Sequence, residues 1–180
     1  MLTLTIPAKE LWDESKSEFI YTKEQTLHLE HSLVSLSKWE SKWNKAFLSN
    51  RDKTDEEILD YIKCMTLTPN ISPDMYRYLT RDNFVEINDY IAAPMTATVF
   101  SDEKTSKASR EIVTAELIYY WMIALNIPFE CQHWHLNRLL TLIKVCNIKN
   151  APPKKRSKRE IMSRNAALNA ARRKQLNTSG

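Results

Sequence analysis

Glycine is all but missing from these 180 residues: there is one, and it is the last, Gly180. Glycine supplies positive φ at tight turns and lets a backbone close on a phosphate. A body without it holds no Gly-rich phosphate loop, no dinucleotide-binding fingerprint and no GxSxG nucleophile elbow. The expectation is therefore a protein that is not an enzyme and carries no cofactor. Helix ends have to be made by Asn, Pro and polar caps, with Asn126, Asn147 and Asn150 as the candidates.

Cysteine is scarce and odd in number: Cys64, Cys131 and Cys146, each inside an apolar stretch. That usage predicts buried reduced thiols and a reducing cytoplasm. Long apolar runs are lacking too. The longest, around residues 117–125, is too short to cross a bilayer and ends at Asn126. The start, Met1-Leu2-Thr3-Leu4-Thr5-Ile6-Pro7, has no basic stretch leading into an apolar one, so no signal peptide and no membrane partner are expected.

What is present is an ordinary globular balance, 43% hydrophobic and 27% charged residues. A body of about 150 residues buries roughly two-thirds of its unfolded surface, so neither a metal nor a disulfide is required. The net charge of +4 hides an asymmetry. Nine of the 26 basic residues and one of the 22 acidic ones fall in residues 154–180, leaving 17 against 21 elsewhere: an acidic body of −4 and a tail of +8.

Periodicity predicts a mainly α protein, a bundle of about six helices with a small N-terminal β-hairpin or sheet and a basic C-terminal helix. Residues 1–22 read as short strands. Leu2, Leu4 and Ile6 alternate, and Leu11-Trp12 and Glu18–Tyr21 flank a polar loop as a hairpin would. Residues 23–150 read as helices. Thr22-Lys23-Glu24-Gln25 has the form of a capping box, followed by a stripe of Leu29, Leu33, Leu36, Trp43 and Phe47. A second box at Thr54–Glu57 opens a helix burying Ile58, Ile62 and Met65. Ser72-Pro73 opens the next, with Tyr76 and Leu79, and Thr80-Arg81-Asp82 a fourth with Phe84, Ile87 and Ile91, stopped before Pro94. After a polar connection over residues 94–109, a fifth helix over about 110–126 looks apolar nearly all round and hence central. Pro128 opens a sixth, carrying Trp134, Leu136, Leu139, Leu140, Ile143 and Val145 and paired closely with the fifth. Ala151-Pro152-Pro153 then marks a hinge before the tail of residues 151–180. In the tail Ser157–Glu160 forms a box, and Ile161, Leu168 and Leu176 fall near one stripe among alanines.

No constellation reads as catalytic. Cys131-x-His133-x-His135 invites a metal, but on a helix residue 133 points about 200° from residue 131, so the three cannot close one tetrahedral site. A Cys131–His135 pair is left, with ordinary packing the stronger reading and no metal assigned. His28 and His31 read as a partly exposed pair on the polar side of the first helix. Glu56-Glu57 suits the positive end of a helix, and Glu86 and Asp89 a solvated face.

The candidate partner-binding residues are Trp39 and Trp43, with Lys154, Lys155, Arg156, Lys158, Arg159, Arg164, Arg172, Arg173 and Lys174 of the tail. The two tryptophans lie a turn apart among Ser35, Ser37, Lys38, Ser41 and Lys42, so they fit either a core, slightly favoured, or a half-exposed surface. Trp121 and Trp134 read as core. For the tail three readings stay open: phosphate binding to nucleic acid, a solvated tail, or docking on an acidic surface, which includes the body of a second copy in a homo-oligomer. No aromatic interleaves the cations, and no helix-turn-helix or zinc finger precedes them.

Several stretches are similar to a family encoded by tailed bacteriophages and prophages. They are Glu10-Leu11-Trp12-Asp13-Glu14, Lys23–Leu33 (Lys23-Glu24-Gln25-Thr26-Leu27-His28-Leu29-Glu30-His31-Ser32-Leu33), Ser37-Lys38-Trp39-Glu40-Ser41-Lys42-Trp43, Trp134-His135-Leu136-Asn137-Arg138-Leu139-Leu140 and Arg164–Arg173. The resemblance spans nearly the whole chain, to small proteins of the structural-gene region, above all the tail assembly chaperones that act beside the tape measure protein. It implies a non-enzymatic role in the host cytoplasm, coating the tape measure protein until tail tube subunits polymerise around it. The competing expectation is a minor virion protein, at the head–tail junction or in the tail, whose basic tail touches DNA or an acidic neighbour.

Overall fold

The computed structural model describes residues 1–13, 18–100, 112–152 and 158–177. As expected, it is mainly helical with small antiparallel β elements at the N-terminus. The chain divides into two compact units, Met1–Asn147 and Ile148–Gly180. The boundary falls inside the last helix of the body, a few residues before the Pro-Pro step.

Strand β1 (Leu2–Ile6) alternates as predicted: Leu4 and Ile6 are buried while Thr3 and Thr5 are exposed. β2 (Lys9–Asp13) and β3 (Glu18–Thr22) form the expected antiparallel hairpin, with Lys9 opposite Thr22 and Asp13 opposite Glu18. The partner of β1 is a correction. It is β4 (Gln25–Leu29), with Leu2 opposite Leu29 and Leu4 opposite Leu27, where a helix start was predicted. Gln25, Leu27 and Leu29 alternate with Thr26 and His28, and pairing with the open edge of β1 outweighs the cap-like sequence before them.

Helix α1 (Leu33–Trp43) therefore begins at Ser32, whose hydroxyl accepts from the Ser35 amide at 3.4 Å. It ends at Asn44, in the left-handed region at φ 52°. Helix α2 (Asp55–Met65) opens on the predicted box: the Glu57 amide donates to Thr54 Oγ1 at 3.3 Å and the Thr54 amide to Glu57 Oε2 at 2.9 Å. A 3₁₀ turn, Pro73–Tyr78, buries Met75 and Tyr76. Helix α3 (Arg81–Ala92) has a reciprocal box of its own between Thr80 and Asn83. Its last carbonyls are met from a distance, since Asn137 Nδ2 donates to Ile91 O and Ala93 O, both at 2.9 Å.

Two further corrections concern the helices that follow. Helix α4 (Ala115–Ala124), capped by Thr114, is shorter than the span predicted over 110–126. Residues 101–111, with most of the polar connection and the start of that span, lie outside the described residues. Nor is α4 central: Ala115, Ile118 and Met122 are buried, but Tyr120 is 62% and Ile123 61% exposed. A uniformly apolar sequence says nothing about which side is covered. The helix expected from Pro128 is two pieces, a 3₁₀ turn (Phe129–His133) and α5 (Leu136–Asn150). They are separated because Ser32 and His135 form a β-bridge and the Leu136 amide donates to His31 O at 2.8 Å. Of the asparagines expected at helix ends, Asn126 sits at φ 52°, whereas Asn147 lies within α5 and Asn150 closes it.

The body holds two apolar cores. Leu4, Ile6, Leu27, Leu29, Trp39, Ile62, Met65 and Ile87 form one; Leu33, Leu36, Ala115, Ile118, Met122, Leu136, Leu139 and Ile143 form the other. Helix α1 feeds both, from two faces. In the second unit α6 (Lys158–Leu176) is the predicted basic helix.

Candidate partner-binding surfaces

Trp39 is 1% exposed and belongs to the first core, out of reach of a partner. Its Nε1 donates to Glu57 O at 2.8 Å, pinning α1 to the first turn of α2. Trp43 is partly buried and stacks on Trp39 with ring centroids 6.1 Å apart, and its Nε1 donates to Asp60 Oδ2 at 2.9 Å. Lys42 is ion-paired with the same Asp60, and Lys45 with Glu57. The two tryptophans are thus the hinge pin of the α1–α2 seam, and only the edge of Trp43 is open to a partner. Burial raises the Asp60 carboxyl, but its bonds to Lys42 and Trp43 outweigh this and hold it below the usual range. Glu57 is lowered by Lys45 first and then by the Thr54 amide.

Glu40, also buried, was hidden in the sequence between these tryptophans. Its Oε1 accepts from the Phe47 amide at 2.8 Å and its Oε2 from the Ala115 amide, the first residue of α4, at 2.7 Å. One carboxylate thereby ties the end of α1 to the N-terminus of a helix 75 residues further on, where the helix dipole favours it. Its position four residues after Leu36 and seven after Leu33 puts an acid on the apolar stripe, the one sequence signal that it is structural.

The histidines are the larger departure. His28 lies on β4, and His31 is 2% exposed, not on a polar helix face. His31 Nδ1 shares a 2.6 Å hydrogen bond with the Tyr61 hydroxyl, and the His31 amide donates to the Tyr90 hydroxyl at 3.4 Å. The His135 ring stands 5.0 Å from that of His31. His135 Nδ1 accepts from the Asn137 amide at 3.3 Å and Nε2 donates to Tyr90 O at 2.9 Å, a neutral imidazole with both nitrogens occupied. Burial, and then the neighbouring His135, push His31 down to about 4. This cluster joins β4, α2, α3 and the start of α5 in the polar seam beside both cores. Cys131 is buried on the 3₁₀ turn, where burial raises its thiol, and His133 is exposed. No group of three or more metal-ligating side chains occurs among the described residues.

Two surfaces have the character of docking sites. A cavity of about 620 Å³ opens between α2 and α3, lined by Phe47, Ile58, Leu59, Ile62, Phe84, Ile87 and Ile91, with Lys53, Asp55 and Asn88 as its polar members. The sequence reading assigned most of these residues to a buried face. Ile58 is in fact 37% exposed at the groove. The other surface is α6. Arg159, Arg164, Arg172, Arg173 and Lys174 are all exposed, as are Met162, Leu168 and Leu176. Lys158 opens the helix, while Lys154, Lys155 and Arg156 lie outside the described residues. Glu86 and Asp89 are exposed on α3, the solvated face expected of them. Among the described residues no helix is long and apolar enough to cross a membrane. Compared with protein-family models, curated proteins and solved structures, the chain matches none.

Proposed function

We propose that this chain is a non-enzymatic tail assembly chaperone of a tailed bacteriophage, acting in the host cytoplasm on the tape measure protein. The observation that carries the reading furthest is the apolar groove between α2 and α3. A groove of this size, lined by isoleucine, leucine and phenylalanine, suits the apolar face of a client helix laid along it. A long helical client that is insoluble until packaged offers many such faces. The rigid frame behind the groove supports the same reading. Trp39, Trp43 and the ion pairs of Lys42 and Lys45 fix α2, one wall of the groove, against α1 before any client arrives.

Co-expression with the tape measure protein tests this. The expected result is a soluble complex, lost on Ile58→Glu while the variant alone keeps its melting temperature, because Ile58 is partly exposed. A tape measure protein that stays insoluble and is not captured sinks the proposal. The second reading, a minor virion protein at the head–tail junction or in the tail, draws on the exposed cations of α6. Mass spectrometry of purified virions separates the two, since a resident protein is present in stoichiometric amounts and a released chaperone is not.

A further inference from the structure

From the distribution of cations on α6, we infer that this helix binds duplex DNA by lying in the major groove and neutralising phosphates on both of its walls. The inference stands on the helix alone and holds under either functional reading. Successive residues of a helix point about 100° apart, so Arg172, Arg173 and Lys174 by themselves face three directions. Arg159 and Arg164 fall in the gaps between them. All five are exposed, and no ion pair joins any of them to a side chain that the structure describes; the one acidic residue of the helix is Glu160, a turn before Arg164.

This all-round charge decides between partners. A flat acidic protein surface reaches about half of a helix's circumference and leaves the remaining cations in water. A membrane surface needs a broad apolar face opposite a basic one. Here Arg172 interrupts the arc on which Met162, Leu168 and Leu176 lie, so no such face exists. The major groove of B-DNA is about 12 Å wide, admits a helix, and has a row of phosphates on each side. Between the cations, Ala166, Ala167, Ala170 and Ala171 keep the helix slim and strongly helix-forming, so little side-chain volume opposes entry. No aromatic lies within Lys158–Leu176 to stack on a splayed base, which argues for duplex over single strand. The arginines hydrogen-bond phosphates through their guanidinium groups and Lys174 acts as a point charge; phosphate contacts carry no sequence information, so the binding is independent of sequence.

The experiment is fluorescence anisotropy of a labelled mixed-sequence DNA duplex of 20–25 base pairs with the full chain, titrated at several salt concentrations. Neutralising four or five phosphates gives a slope of log K against log salt of about −3.6 to −4.5, with Kd in the range of about 1–100 μM near physiological salt. Arg164→Ala reduces the slope by about 1, and the triple substitution R172E/R173E/K174E lowers affinity more than about tenfold, each phosphate contact adding its own counterion term. Circular dichroism of the triple variant checks that the body still folds. Absence of binding at 50 mM salt overturns the inference, as does a slope that the triple variant leaves unchanged. Single-stranded DNA or double-stranded RNA bound as tightly as duplex DNA removes the major groove from the account, because the RNA major groove is too deep and narrow for a helix. Tighter capture by polyglutamate than by DNA reassigns α6 to an acidic protein.

Discussion

In the body, Glu40 gives its two oxygens to the Phe47 and Ala115 amides, while Glu57 and Asp60 are tied to Lys45 and Lys42 against the indole of Trp43. In α6 the arginines stand in water, with alanines where a body helix would carry leucine or isoleucine. The same residue types thus do different things in the two units. The buried body charges are positioned by packing and hold α2, one wall of the groove, in place. Tail charges are free to be positioned by whatever arrives. A substitution that removes one of these buried body charges should register in stability, and one in α6 should register only in binding.

The comparison can be broken at several points, starting from the largest expected effect. Trp39→Ala removes a fully buried indole and the bond to Glu57 O, and is expected to cost about 3–5 kcal/mol, read from urea unfolding. The next concerns pH. Buried His31 titrates near 4 when folded and near 6.5 when unfolded, so the unfolded chain binds the extra proton between those values. Its contribution is whole above about pH 6.5 and is lost as pH falls toward 4, a loss of up to about 3 kcal/mol. Unfolding midpoints at pH 7 and pH 4.5 measure it together with a contribution of the same sign from His135, which burial also lowers, and His31→Gln should reduce the difference. Glu57 and Asp60, held below the usual carboxylate range, add to the loss only at more acid pH. Thr54→Ala deletes one side of the α2 capping box and should cost about 1 kcal/mol. At the bottom of the scale, Arg173→Ala in α6 should move stability by less than about 0.5 kcal/mol while still shifting the salt dependence of DNA binding. A destabilisation by Arg173→Ala comparable to that of Thr54→Ala would end the distinction between the two units.

Much of this architecture was legible beforehand, and where legibility failed the reason is physical. The box at Thr54 and the helix start at Thr80 were readable because a helix start is a local arrangement of three or four residues. The basic tail was readable because charge is additive along a sequence. β4 was not, because a strand is defined by its partner, and β1 lies about twenty residues upstream. The break at Trp134–His135 failed for the same reason: it is imposed by a bridge to Ser32, a hundred residues away. Of the two candidate surfaces, the sequence located the cations of α6, whereas for the tryptophans it left core, slightly favoured, and surface both open, and the structure puts Trp39 in the core. Trp39 and Trp43 support the groove from behind, and its walls are residues assigned to the core, such as Ile58 and Phe84. Periodicity gives the apolar side of a helix but not how much of that side its neighbours cover.

The asparagines at the helix ends carry one more consequence. Asn44 and Asn126 both hold φ 52°, where glycine is the usual occupant. A body of this length at ordinary usage of about 7% would contain about ten glycines. Each such position filled by another residue narrows the unfolded ensemble by about 0.4–1 kcal/mol, provided the folded conformation tolerates it. Part of what holds this fold therefore lies outside it, in an unfolded chain with fewer conformations to return to. Asn44→Gly relieves the backbone at one turn and loosens that chain at the same time, so its net effect on stability should be close to zero.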